Sequence, residues 1–361
     1  MARHIKSIEV STFRGIRDLR LDNFADINII TGNNNSGKTS LLEILESFSD
    51  PMKMKTWVML GRNAANANGL SLYDRLELLF DVDDEEKEIR YSIEYLDEKH
   101  EICLRAHVDQ EILPYEKVKK IARWFSLIGD EQRDAALVNA FVVDFLDNNK
   151  VVNTELLYDV QATMNLFTPK GSRRNIVYVS PTDHARGFLF LSEVLDEPEL
   201  YSEMLKVMQD FDDDIISINA DRKNDRSTSS GVVYKILSKK HKKAIPLNLY
   251  GDGMKKALLL MSAVIKAKDG VLLLDEFETA IHTSAMDHIF KWILDTCIRL
   301  NVQVFMTSHS DEAILKALTC SPELSEKMKH ITLYKNGEST VARELTVEKA
   351  IALRKKGVEL R

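Results

Sequence analysis

The chain has 361 residues, 44% apolar and 29% charged, which suits one large globular domain or two modest ones. A formal net charge of −7 provides no global basic field for nucleic acid, though a local basic groove stays compatible with it. Met1–Lys6 lacks the apolar core of a secretory signal, and the longest clean apolar run, Ala257–Ile265, is far too short for a membrane span.

Cys103, Cys297 and Cys320 form no CxxC pair, so neither a zinc site nor a disulfide framework is expected, and a reducing cytoplasm fits best. Ser7–Phe13 and Asp18–Leu21 read as two early strands. Ile27–Thr31, an apolar run ending at a glycine, reads as a buried parallel strand. Leu41, Leu42, Ile44, Leu45 and Phe48 form the apolar face of the helix after Lys38. A polar stretch, Gly61–Gly69, reads as a loop. Ile89–Leu96 and Ile102–Val108 alternate around Asp97–His100 and predict a hairpin.

From about Leu113 to Phe167 the spacing predicts helices, with Val118, Ile121, Ala122 and Phe125 in one stripe and Val138, Phe141, Val142 and Phe145 in another. Ile176–Val179 resumes the strand pattern, which Ser180-Pro181 ends. Asp221–Gly231 reads as a mobile loop. Two strand-like segments, Val232–Leu237 and Ala244–Leu249, flank Lys239–Lys243, a basic cluster that is either a solvated tip or a phosphate contact. Then strands and helices alternate: a helix from Gly253, strand Val271–Leu274, a helix from Thr283, strand Val302–Met306, a helix from Asp311. That order predicts an α/β fold with a parallel sheet and crossover helices. Three regions follow: an N-terminal lobe (1–110), a helical insertion (111–170) and a C-terminal lobe (171–361).

Three motifs carry chemistry, and a fourth supports them. Gly32, Asn33, Asn34, Asn35, Ser36, Gly37, Lys38 and Thr39 spell G-x-x-x-x-G-K-[ST], followed by Ser40. Its glycines let backbone N–H groups and a helix N-terminus face a polyphosphate, Lys38 reaches the β and γ phosphates, and the Thr39 hydroxyl holds Mg²⁺. Val271–Leu274 ends in Asp275 and Glu276, placing two carboxylates at the ligand-binding edge of a parallel sheet. Asp275 is expected to bind Mg²⁺ through water and Glu276 to act as general base. Glu278 is either a further site acid or a surface residue. His309, after the next strand, is placed to hydrogen-bond the γ-phosphate or the attacking water. Gly251 and Gly253, before an apolar helix, form a second phosphate-facing turn or a simple cap.

These elements, in this order, resemble the ABC-type ATPase heads of SMC, RecF and overcoming-lysogenisation-defect (OLD) proteins, above all the OLD-like AAA ATPases. Ile8–Ile16 is similar to their first strand and its Phe-Arg-Gly turn, and Asn34–Leu42 to their phosphate-binding loop. Tyr250–Lys255 sits where their signature turn lies, Leu274–Glu278 resembles their LDExE, Ala280–His282 their D-loop, and Thr307–Ser310 their switch histidine. The likeness covers about residues 1–50 and 245–345. It implies two heads pairing face to face, each giving its signature turn to the other's ATP, with closure on binding and opening on hydrolysis.

The sequence departs from that pattern in three places. Gly251-Asp252-Gly253 replaces Ser-Gly-Gly. Ser180 or Thr182 stands where a sensor glutamine is usual. The insertion is too short and irregular for a coiled-coil arm, and too few residues follow His309 for a Toprim domain. The expectation is therefore a Mg²⁺-dependent ATPase without Toprim domain, a homodimer or higher homo-oligomer with no membrane contact. It acts on DNA or in phage defence, with a separate Toprim or HNH nuclease. An ATP-gated scaffold with little turnover and a transporter ATPase subunit are the alternatives.

Overall fold

The computed structural model describes residues 3–60, 70–81, 86–122, 134–162, 174–186, 189–222 and 232–360. The loop expected at 61–69, Phe125, and most of the loop expected at 221–231 lie outside the described residues. In chain order the elements are β1 (Ile5–Phe13), β2 (Ile16–Leu21), β3 (Ile27–Gly32), α1 (Lys38–Ser47), α2 (Met54–Val58), α3 (Leu72–Glu77), β4 (Lys87–Tyr95), β5 (Glu98–Pro114), α4 (Tyr115–Ile121), β6 (Ala135–Asp147), β7 (Lys150–Tyr158) and β8 (Ile176–Val179). There follow α5 (Leu191–Leu195), α6 (Pro198–Gln209), β9 (Ile215–Arg222), β10 (Val232–Ser238), β11 (Ile245–Pro246), α7 (Asp252–Lys266), β12 (Val271–Leu274), α8 (Thr283–Arg299), β13 (Gln303–Thr307), α9 (Asp311–Thr319), β14 (Met328–Asn336), β15 (Ser339–Leu345) and α10 (Val347–Lys355).

The mixed sheet runs β15-β14-β3-β13-β12-β8. The five strands from β14 to β8 are mutually parallel, and β15 joins β14 antiparallel. Apolar side chains leave it on both faces, as a doubly covered parallel sheet requires. Leu272 and Leu274 enter one buried cluster with α7, α8 and α9. Val271, Leu273 and Phe305 enter another with Leu41, Leu42, Ile44 and Leu45 of α1. The same second cluster takes Val10, Tyr91 and Phe141 from the antiparallel sheet β2-β1-β4-β5-β6-β7. Helix α1 is thus packed against both sheets, and this holds the loop before it in place. A third, small sheet runs β11-β10-β9.

The helical reading of 111–170 is overturned for the described residues. Only Tyr115–Ile121 is helical there; Ala135–Asp147 and Lys150–Tyr158 are long antiparallel strands continuing the sheet from β5. Phe141, Val143 and Phe145 are fully buried while Val142 is less so, the period of two proper to a strand. Asn148 and Asn149 make the hairpin turn, both at positive φ (49° and 63°). Such a pair suits asparagine and a tight two-residue turn. The β4–β5 hairpin is present as expected, but its turn is Leu96-Asp97 alone, and Glu98 to His100, expected in the tip, are paired in β5. Of the basic cluster, Lys239 to Lys243, the structure finds Lys240 paired with Asp212 and Asp214.

Candidate functional site

The loop between β3 and α1 is shaped by residues that tolerate unusual backbone. Gly32 has φ 143°, and a Cβ there would lie 2.2 Å from the Leu333 carbonyl oxygen, so no other residue fits. Asn35 (φ 62°) and Gly37 (φ 103°) adopt left-handed conformations, and Gly37 forms the N-terminal boundary of α1. The N–H groups of the first turn of α1 therefore face a cleft of ≈ 660 Å³ lined by Arg14, Gly15, Asn34, Asn35, Gly37, Lys38, Thr39, Ser40, Leu78, Glu276 and His309. Lys38 is buried, and its Nζ donates to the carbonyls of Gly32 (2.8 Å) and Asn33 (2.9 Å). Burial lowers its pKa, with Asp275 and Glu276 opposing.

Strand β12 brings its two acids to the same place. Asp275 is buried and accepts from Thr307 Oγ1 (2.6 Å), Tyr178 OH (3.1 Å) and Thr39 Oγ1 (3.2 Å). Burial first, then the Asp275 charge, holds the Tyr178 phenol well above its ordinary pKa, so it stays a donor. The Thr307 hydroxyl also accepts from the Glu276 N–H (2.9 Å), fixing both acids from the neighbouring strand. Glu276 sits at φ 45°, an uncommon conformation for a non-glycine residue that the surrounding bonds enforce. Its carboxylate lies 3.9 Å from His309 Nε2.

Oxygen donors from Thr39 and Asp275, close together beside the phosphate loop, match the preference of Mg²⁺ for oxygen ligands. The loop likewise suits a polyphosphate, because it ends at the N-terminus of α1, where unpaired N–H groups face an anion.

The predicted residues divide as follows. Asn34, Asn35, Gly37, Lys38, Thr39, Ser40, Glu276 and His309 line one cleft, with Asp275 behind it. Gly32 and Asn33 border a smaller hollow of ≈ 310 Å³ with Thr332, Leu333, Tyr334 and Arg343, and Ser36 is buried. Gly251 and Gly253 line neither; the Gly251–Gly253 turn starts α7, and Asp252 pairs with Lys255 at 2.6 Å. Glu278 proves to be an organiser of the His309 loop: its Oε1 accepts from Ser308 Oγ (2.8 Å) and His309 N (3.1 Å). His282 caps α8, accepting from Ser284 N at 3.3 Å.

Sequence reasoning missed Tyr178, which the strand pattern presents only as one apolar position among four. It also placed Arg14 and Gly15 in a turn without assigning them to the cleft they border. Arg14 is ion-paired with the buried Glu43 of α1 at 3.3 Å, a link that no spacing rule reveals.

Comparison with known proteins speaks to family and fold. The family model described as "AAA domain, putative AbiEii toxin, Type IV TA system" matches residues 27–315. A Helicobacter pylori protein named ATP/GTP phosphatase is 25% identical over 341 residues, covering 86% of each chain. An uncharacterized protein of Methanocaldococcus jannaschii is 52% identical over 44 residues, 12% of this chain and 20% of that protein. Among solved structures, an SMC head bound to the C-terminal winged-helix domain of ScpA aligns with TM-score 0.52 at 14% identity, covering 97% of this chain and 99% of that one. A Pyrococcus furiosus SMC head with an extended coiled coil, bound to the C-terminal domain of ScpA, aligns with TM-score 0.50 at 12% identity, covering 98% and 99%. At such identities the likeness is one of fold. With the model matched from β3 into α9, the chain belongs to this AAA-domain family of P-loop ATPases, and its fold is like that of the SMC heads.

Proposed function

We propose that the chain hydrolyses ATP with Mg²⁺ at the Lys38–Thr39–Asp275–Glu276–His309 cleft, and that ATP binding joins two copies whose closure gates a partner. The observation that carries the reading is the convergence of Thr39, from the phosphate loop, with Asp275, from the strand end, at 3.2 Å. Bound Mg²⁺ would be held by Thr39 and Asp275 and would neutralise phosphate charge. Lys38 would leave the Gly32 and Asn33 carbonyls for phosphate oxygens. Glu276 orients and deprotonates the attacking water, and His309 beside it holds the γ-phosphate or that water. The name ATP/GTP phosphatase of the H. pylori relative supports a hydrolytic reading.

The dimer rests on the position of the Gly251–Gly253 turn. The turn begins a helix, whose first N–H groups have no partner within the helix, and it borders neither of the two hollows described above, as a group serving a second copy's nucleotide should. Asp252, the residue that departs from Ser-Gly-Gly, has its charge offset by Lys255. The OLD-like form and a separate nuclease or DNA partner in phage defence rest on the motif resemblance, and a cytoplasmic location on the sequence. Among the described residues no helix is long and apolar enough to cross a membrane.

The test is the Glu276→Gln variant. ATP should convert it from monomer to dimer in sedimentation velocity while phosphate release nearly stops. Undiminished turnover removes the catalytic assignment, and a mass unaffected by ATP removes the dimer.

A further inference from the structure

Lys256 lies in the first part of α7 and is fully buried, at 0% exposure. Among the described residues its Nζ has no hydrogen-bond partner. Burial lowers its pKa to about 8, against the pull of Asp183, Glu278, Asp275 and Glu276 in decreasing order. Glu278 is itself half satisfied: Oε1 carries the Ser308 and His309 bonds, while Oε2 is buried without a partner. Ser180 Oγ and His184 Nδ1, from the segment after β8, are buried and unbonded too. That segment is tied together by Ser180 N donating to Asp183 (2.8 Å), and Lys256 in turn depresses the His184 pKa, second to burial.

A buried ammonium without a protein partner is a costly arrangement. Its neighbours on α7, Ala257 to Leu260, are apolar and buried, so a hydrophobic side chain would avoid that cost and stability alone does not account for a lysine here. A chain keeps such a residue where function uses it.

We infer that Lys256 is a positioning residue for hydrolysis: once nucleotide is engaged, its Nζ, unpartnered here, comes onto the equally unpartnered Oε2 of Glu278 and steadies the Ser308–His309 backbone and the ring of His309 beside Glu276. The inference rests on the hydrolytic reading above and adds a route within it. Helix α7 starts at the Gly251–Gly253 turn, Lys256 follows about one helical turn later, and Glu278 carries the histidine loop. Engagement of the turn by a second copy's nucleotide would shift α7, bring Nζ onto Glu278 and settle His309 for the reaction.

The test uses the full chain with Lys256→Met, Glu278→Gln and the double variant, reading kcat, KM, nucleotide affinity and Tm. Lys256→Met should raise Tm, since an apolar group of similar length replaces a bare ammonium. It should lower kcat about tenfold or more while KM stays within about twofold. Glu278→Gln should lower kcat similarly, and the double variant should be no worse than the more impaired single variant. If Lys256→Met fails to fold, Glu278→Gln against Glu278→Asp is read instead, with partial recovery of kcat expected for the aspartate. Unchanged kcat in Lys256→Met, with Glu276→Gln inactive, overturns this inference and leaves the hydrolytic reading standing. Joint loss of kcat and Tm in both Lys256→Met and Glu278→Gln overturns it as well, by showing a structural role. A fully active Glu276→Gln overturns the reading beneath it.

Discussion

Thr307 and Asp275, on neighbouring parallel strands, share a 2.6 Å hydrogen bond, and the same hydroxyl accepts the Glu276 N–H. One side chain therefore fixes the direction of both acids. Thr307→Val keeps the shape but leaves a buried carboxylate oxygen and an N–H short of a partner. A stability loss of about 1–3 kcal/mol is expected, together with a fall in kcat that exceeds any change in KM. Urea midpoints and steady-state kinetics check this; a valine variant with wild-type kcat would remove Thr307 from the site.

Lys38 has two carbonyl partners within its own loop, so it must exchange them to meet a nucleotide. Lys38→Ala removes a charged donor, a class of interaction contributing about 1.5–3 kcal/mol. Nucleotide affinity should drop roughly 10- to 150-fold. Isothermal titration decides, and unaltered affinity contradicts the phosphate-loop assignment.

Glu276→Gln preserves volume and polarity but loses the base. kcat should fall by about 10²–10⁴-fold, the span of general-base contributions, with nucleotide affinity retained. Single-turnover phosphate release separates the chemical step from product release.

The strand reading of β6 can be separated from a helical one by mutation. Phe141 is fully buried and Val142 only partly so. Phe141→Ala should cost about 3–5 kcal/mol, whereas Val142→Thr should cost well under about 1 kcal/mol. A helix with its stripe on Val138, Phe141, Val142 and Phe145 would make both substitutions severe. Chemical denaturation of the two variants distinguishes these cases.

His330 supplies a pH dependence. Burial, then Arg343, pushes its imidazole down to about 4, against a hydrogen bond involving the Leu360 backbone. In the unfolded chain it titrates near 6.5. Between these values the unfolded chain binds more protons, so stability falls as pH drops from about 6.5 toward about 4. This residue contributes up to roughly 1.4 kcal/mol per pH unit. His330→Gln should flatten that slope, read from urea midpoints near pH 7 and near pH 5. An identical slope in both proteins would disprove the assignment.

The phosphate loop, β12 with its acids and the alternating C-terminal elements were legible because each couples a period to a terminating residue: Gly32 after β3, Asp275 after β12, Thr307 at the end of β13. The segment 135–158 was misread because Val138, Phe141, Val142 and Phe145 also fit a 3–4 spacing. Its β-branched and aromatic content and the Asn148-Asn149 turn were the better signal. Tyr178 and Glu278 were hidden for another reason. Their partners, Asp275 and the 308–309 backbone, are distant in sequence and come together only through strand order. Lys256 appears in sequence simply as one more charge at a helix start.

The pairing of β12 with β13 sets Leu274 opposite Met306, so Asp275 and Thr307 emerge side by side one residue later. A slip of one position would exchange Leu272 and Leu274 with Val271 and Leu273 between two differently shaped apolar layers, and would carry the hydroxyl about 3.3 Å from its carboxylate. The greasy interior on either side of the sheet thus acts as a vernier for the reaction centre. Mutations that loosen that interior, even far from any phosphate, should blur turnover before they unfold the chain.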